Sequence, residues 1–415
     1  MRRWFGESSS MISLLPVETA AHTQIRKAGF GLTREVLTVK FRLTNKPVRS
    51  WRLLVLTGVL TLFGQCASAA TYYVATTGSD SNPGTLASPF RHLTTAAATA
   101  TQPGDTVIVM DGTYDNEGIV APNVVVILYY SGTAGNPITF RAQNRGKAIL
   151  DSMNSSTTTS CDGASAYFGL KNASFIVIQG FVIQRGCDSG IQTNGAAHDI
   201  TIRWNEIRNI ANHTVTDQIG RNGIYLHASE YNFTFYGNSF HDIGRTDGQT
   251  LLHFDHGIYS QGQNMTIVNN IFYNMNRGFS IQTADGASNW LVANNMFAFG
   301  NANGQAGQIM FWNNNSNITI RNNIFYNPNG SAITRYAATI SGSAFDHNLI
   351  YGVSAVISDP TGLTIGTNQI GVNPLFVNAS TAPYDFHLQP GSPGIDAGVT
   401  DVGAYEYPGF SLDFP

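Results

Sequence analysis

An asparagine returns along the middle of the chain at Asn205, Asn238, Asn270, Asn295, Asn323 and Asn348, at spacings of 33, 32, 25, 28 and 25 residues. Short apolar pairs follow, as in Ile271-Phe272, Met296-Phe297, Ile324-Phe325 and Leu349-Ile350. Alternating segments precede, as in Met265-Thr266-Ile267-Val268 and Ile318-Thr319-Ile320-Arg321. A repeat of this length built on strands rather than helices signals a solenoid, whose coils bury their apolar faces against one another. Asparagines stacked coil on coil can bond amide to amide and to the turn backbone, which offsets the cost of burying them. The chain therefore reads as all-β, a parallel β-helix.

The 415 residues carry few charges (12%), 42 Gly and 15 Pro, which suits a sheet-rich chain with tight turns. Gly and Asn supply the positive-φ positions that sharp corners require. Residues 1–45 show no clear periodicity and are left as an unassigned extension. In residues 46–70, Lys46, Arg49 and Arg52 precede the apolar run from Leu53 to Phe63, and Ala67-Ser68-Ala69-Ala70 follows. A basic start, an apolar stretch and an Ala-x-Ala site make a secretory signal peptide, so the mature protein is expected outside the cell or in the periplasm. The apolar run is about 11 residues, short of the roughly 20 that a span needs, so no stable membrane span is expected.

Residues 1–70 hold 10 of the 23 Lys+Arg and 3 of the 26 Asp+Glu, which leaves 13 basic and 23 acidic residues and a net charge of −10. So acidic a body argues against nucleic acid as partner. Only Lys147 and Lys171 remain as lysines, so cationic chemistry must rest mainly on Arg and His. Cys161 and Cys187 stand 26 residues apart, one coil. In an oxidising compartment that register permits a disulfide; a pair of unlinked core thiols is the alternative.

Thr71-Tyr72-Tyr73-Val74 reads as a strand, and the Ala/Thr-rich stretch 93–101 as a short helix that caps the open end of the solenoid. Pro103-Gly104-Asp105-Thr106-Val107-Ile108-Val109 then opens the first coil. The tail carries Asn373-Pro374-Leu375-Phe376, Asp385-Phe386-His387-Leu388 and Gly391-Ser392-Pro393-Gly394-Ile395-Asp396-Ala397-Gly398. With the asparagine coils, these segments resemble bacterial right-handed parallel β-helix proteins of the pectin-lyase-like superfamily. The resemblance covers residues 71–407, with a tail at 408–415, and implies that the C-terminal motif is a closing element. It implies the fold more than the chemistry, because the superfamily holds lyases, hydrolases, epimerases and non-catalytic surface proteins.

Several coils open a strand on glycine: Gly190-Ile191-Gln192-Thr193-Asn194, Gly223-Ile224-Tyr225-Leu226-His227, Gly257-Ile258-Tyr259-Ser260-Gln261 and Gly278-Phe279-Ser280-Ile281-Gln282. Alternation sends Ile191, Ile224, Ile258 and Phe279 inward. One outward column is then Gln192, Tyr225, Tyr259 and Ser280, and a second is Asn194, His227, Gln261 and Gln282. The residues before each glycine form a rim of Asp188, Arg221 with Asn222, Asp255 with His256, and Asn276 with Arg277. Longer coils at 211–222 and 244–254 bring His213, Asp217, Arg245, Asp247 and His253 toward the same floor.

Such a floor suits an acidic polysaccharide, handled by a monomer. Eliminative cleavage needs a base to remove the proton α to a carboxylate, a cation or metal to neutralise that carboxylate, and an acid for the leaving oxygen. His256 or His227 is a candidate base. Tyr259 or Tyr225 is a candidate acid, or base beside an arginine. Arg221 and Arg277 would hold the carboxylate. Gln192, Asn194, Gln261, Gln282, Asp188, Asp255 and His253 would bind substrate. The resemblance implies either no cofactor or calcium, for which Asp188, Asp217, Asp247 and Asp255 are the carboxylates available. Superfamily members that pair a Lys base with Arg would find only Lys171 here, one coil before the cluster. Two rivals remain. A glycoside hydrolase would need two carboxylates at set separation, for which Asp188 and Asp255 stand two coils apart. A non-catalytic binding module would need the aromatic floor but neither the arginines nor the histidines.

Overall fold

The computed structural model describes residues 68–395 and Gly403, apart from residues 121, 154–160, 162, 212–219, 246–253, 301–306 and 354. The expected signal peptide, the extension before it and the tail at 408–415 lie outside the described residues, save residues 68–70.

Every coil contributes short strands that pair in parallel with the coils before and after. A 10-stranded sheet runs from Gly112–Tyr114 to Gln369–Ile370 along one side. A 19-stranded assembly makes the other two sides, which join where the 13-residue strand Ile309–Arg321 bends through both. This is a right-handed parallel β-helix. The helix Leu93–Thr99 buries Leu93, Ala96 and Ala97 against the first coils, as the Ala/Thr-rich stretch predicts. Cys161 and Cys187 are joined by a disulfide, with Cα atoms 5.6 Å apart.

The asparagine repeat is a buried ladder. Asn205 Nδ2 donates to Asn238 Oδ1 at 3.1 Å, Asn238 to Asn270 at 2.9 Å, Asn270 to Asn295 at 3.0 Å, and the run continues through Asn323 and Asn348. It extends one rung further than the sequence reading, to Asn368 at 3.0 Å. The residue before the ladder position is in the left-handed region, as at Asn269 (φ 58°), Asn294 (φ 55°) and Asn322 (φ 56°), so each asparagine sits just past a sharp corner. A second ladder runs along an exposed corner: Asn232 to Asp199, then Asn264, Asn289 and Asn317 in turn, each at 3.1 Å.

The apolar pair after each asparagine divides between two faces of the 10-stranded sheet. Phe240, Phe272, Phe297 and Phe325 point inward and stack at 4.7, 5.1 and 4.9 Å. Truncating one of these buried rings to Ala would cost about 3–5 kcal/mol. Ile271, Met296, Ile324 and Leu349 point outward. They are covered by Phe376, Phe386 and Leu388 from the antiparallel strands Phe376–Asn378 and Asp385–Leu388. The C-terminal motif thus closes a flank of the solenoid, because that sheet carries apolar side chains on both faces.

Candidate functional site

A cleft of about 530 Å³ opens on the 19-stranded assembly, over the strands Ser189–Asn194, Asn222–Leu226, His256–Ser260 and Ile281–Thr283. Parallel register aligns Gln192 with Tyr225, Tyr225 with Tyr259 and Tyr259 with Gln282. The corners before those strands align Ser189, Asn222 and His256. The expected column is therefore present through Tyr259 and ends differently. Gln282, not Ser280, stands beside Tyr259, because Ile281 pairs with Ile258. Ser280 is buried and bonded to Gln308 Oε1, and Phe279 packs on the His256 ring at 5.9 Å. The coil is offset by two residues from the sequence alignment, and Gln282 moves from the second column to the first.

The two phenol rings stack at 5.4 Å, with planes 20° apart. Burial, then the nearby Tyr259 and Glu230, push the Tyr225 phenol above its ordinary value, so it stays protonated across the neutral range. Tyr259 Oη accepts a hydrogen bond from Gln261 Nε2 at 3.1 Å. His227 is exposed and sets its ring edge-on to Tyr225 at 4.7 Å, beside the cleft. Asn194 is also exposed and is paired in register with Lys171, whose Nζ sits 5.7 Å over the Tyr129 ring.

His256 is 2% exposed yet lines the cleft. Its Nδ1 accepts the backbone N–H of Phe279 at 3.2 Å. A nitrogen that accepts cannot also carry hydrogen, so the neutral ring holds its proton on Nε2. This geometry makes His256 a donor through Nε2, where the base reading requires a free lone pair. At the rim, Arg221 pairs with Asp188, which also accepts the Ser165 hydroxyl at 2.6 Å.

Two rim expectations change. Asp255 is fully buried and not on the rim: it accepts from Arg245 Nη2 at 2.8 Å and Nε at 3.0 Å, and from the Arg221 amide at 3.0 Å. Arg277 is 1% exposed and packs into the same corner, its Cβ and that of Asp255 both crowding Gly244. Arg221 is the expected arginine that lines the cleft. His253, Asp217 and Asp247, with His213, lie outside the described residues.

Asn222 and Gln282 strengthen the site. Asn222 and Gln282 line the cleft, and their buried Oδ1 and Oε1 atoms have no hydrogen-bond partner among the described residues. Unsatisfied buried acceptors are costly, and a ligand hydroxyl would complete both. Asn222 belongs to the expected rim, directly before Gly223, and pairs in register with His256 before Gly257.

The described residues do not make a calcium cage. No group of three or more acidic, imidazole or thiol side chains converges among them. Asp188 is engaged by Arg221 and Ser165, and Asp255 is sealed with Arg245. A calcium site wants six to eight oxygens, more than the described carboxylates bring together here.

Fold and cleft together define a right-handed parallel β-helix with a polar and aromatic trough on one sheet. Residues 72–251 match the family model described as Pel9A-like, right handed beta helix region. The chain is similar to the uncharacterized protein YwoF of Bacillus subtilis (strain 168), 28% identical over 181 residues, which are 39% of this chain and 36% of that relative. The chain thus spans little more than a third of the curated relative it matches. The crystal structure of pectate lyase Pel9A is similar at TM-score 0.54 and 16% identity, over 82% of this chain and 97% of that one. A glycoside hydrolase structure aligns at TM-score 0.49 and 9% identity, over 72% and 97% of the two chains. Among the described residues, no helix is long and apolar enough to cross a membrane.

Proposed function

We propose that the protein is a secreted, monomeric carbohydrate-active enzyme that cleaves a uronic-acid-containing polysaccharide by β-elimination. One observation carries this reading: a stacked pair of phenols, one held protonated, shares a cleft with Arg221 and the Nε2–H of His256.

In this mechanism Tyr259 Oη takes the proton α to the substrate carboxylate; the Gln261 N–H supports negative charge on that oxygen. The released electron pair forms the carbon–carbon double bond as the bond to the glycosidic oxygen breaks. Tyr225 gives its proton to that oxygen. Proton return from Tyr259 to Tyr225, directly or through solvent, resets the pair. Arg221 and His256 Nε2–H donate to the carboxylate, where negative charge accumulates in the transition state. Asn222 and Gln282 accept from sugar hydroxyls.

Hydrolysis by paired carboxylates is less well supported. Among the described residues the cleft offers Asp188 alone, since Asp255 is shut away. The test is incubation with a panel of uronate polymers, read by ultraviolet absorbance and by reducing ends. Absorbance from unsaturated uronyl ends is expected. New reducing ends without it would mean hydrolysis, and retained binding with neither would mean a binding module.

A further inference from the structure

Beyond Gln282 the outward columns continue into two aromatic side chains that the chemistry leaves unused. Thr283 pairs with Phe311, so Ala284 and Trp312 follow as neighbours on adjacent coils, and Trp312 pairs with Tyr336. The Trp312 and Tyr336 rings stack at 4.7 Å with planes 14° apart. Tyr336 is 56% exposed, so the stacked pair presents an open aromatic face to solvent. Trp312 also lines the far end of the cleft, so the aromatic surface is continuous with it.

We propose that Trp312 and Tyr336 form a sugar-stacking subsite that continues the cleft along the solenoid axis and holds the polymer beyond the reacting bond. The inference rests on the carbohydrate reading above and adds the direction in which the substrate runs. A pyranose ring has an apolar C–H face and a polar edge, and an aromatic plate beside a polar trough matches both. Successive coils rise by about 4.8 Å, close to the length of one sugar ring, so plates on adjacent coils meet adjacent parts of one chain.

The plates are held in place before any ligand arrives. Asn315 Nδ2 donates to the Trp312 carbonyl at 2.8 Å, where the strand register shifts. Arg335, just before Tyr336, donates from Nε to the Ala338 carbonyl at 2.7 Å and from Nη1 to the Thr361 carbonyl at 2.8 Å. Fixing an exposed aromatic in advance lowers the ordering cost of binding.

The experiment compares wild type with Trp312→Ala, Tyr336→Ala and Trp312→Phe. Affinity electrophoresis through uronate-polymer gels reads binding, and KM over a size series of oligosaccharides reads length dependence. We expect polymer retardation to weaken about tenfold in both alanine variants and to return in Trp312→Phe. The KM penalty should grow with substrate length while kcat holds within about twofold. A penalty equal at every length, or no penalty, overturns the subsite even if the enzyme is a lyase. Binding lost in Trp312→Ala but kept in a Tyr259→Phe variant that no longer turns over upholds the subsite apart from the chemistry. If wild type is retarded by no polymer, the carbohydrate reading and the subsite fall together.

Discussion

Asp255 and Arg245 form an ion pair closed off from solvent, with Arg245 Nη2 2.8 Å from one carboxylate oxygen and both side chains 0% exposed. The carboxylate also accepts the backbone N–H groups of Arg221 and Arg245, so it ties one coil corner to the next. Removing one partner of such a pair strands a charge and costs about 3–5 kcal/mol. Asp255→Ala should therefore lower the thermal midpoint sharply and lose activity only through unfolding. A variant with wild-type melting but no turnover would return Asp255 to the reaction.

His256 offers a sharper test of role. As a donor through Nε2, it can be replaced in part by a glutamine amide, which also presents an N–H. His256→Gln should keep much of the turnover, whereas His256→Ala should lose about 10²–10⁴-fold. A base has no such substitute. If the two variants are equally inactive while both fold, the donor assignment is wrong.

Tyr225 predicts the alkaline limb. A phenol whose value is raised above 10.0 stays a proton donor until pH climbs through that folded value. Turnover should fall on the alkaline side only above pH 10.0. Tyr225→Phe should drop kcat by about 10²–10⁴-fold while polymer binding persists. An alkaline limb near neutrality would assign the acid to another group.

A pH-dependent stability element lies on the flank away from the cleft. Burial disfavours the charged His241 ring, but hydrogen bonds to Asp242 at 2.6 Å and Glu206 at 3.2 Å outweigh it and raise its value. The same contact to His241, with Arg208 nearby, lowers Glu206. The histidine contribution is fully present below its unfolded value of about 6.5 and fades as pH rises through the folded one. The Glu206 contribution is present above its unfolded value of about 4.3 and fades as pH falls through the folded one. Denaturant unfolding across pH should thus show a stability bonus between those limits that is lost in His241→Asn. The same profile in both proteins would contradict the network.

The solenoid, its helical cap and the run Gln192–Tyr225–Tyr259 were legible because apolar alternation and the asparagine repeat are local signals. The misplacement of Ser280 and Gln282 has a definite physical cause. Strand side chains alternate with a period of two, so a one-residue slip turns every side chain over, whereas a two-residue slip keeps each on its face. Gly278 looked like another strand-opening glycine, and nothing in the alternation around Phe279 opposed that alignment. Asp255 was hidden for a different reason. Its burial depends on Arg245 and on backbone N–H groups of another coil, which no single strand pattern encodes. The contact of Trp312 with Tyr336 follows from the parallel pairing of their coils, which no local pattern encodes.

The ladder from Asn205 to Asn368 has a consequence for how such a molecule changes. Each rung is interchangeable with its neighbours, so a coil can be gained or lost whole while the rungs on either side rejoin. Removing the coil that carries Ala284 would bring Trp312 one step nearer Tyr259 and alter no residue of either. The separation between the place of grip and the place of cutting is therefore a whole number of coils, and it would shift by discrete steps rather than drift.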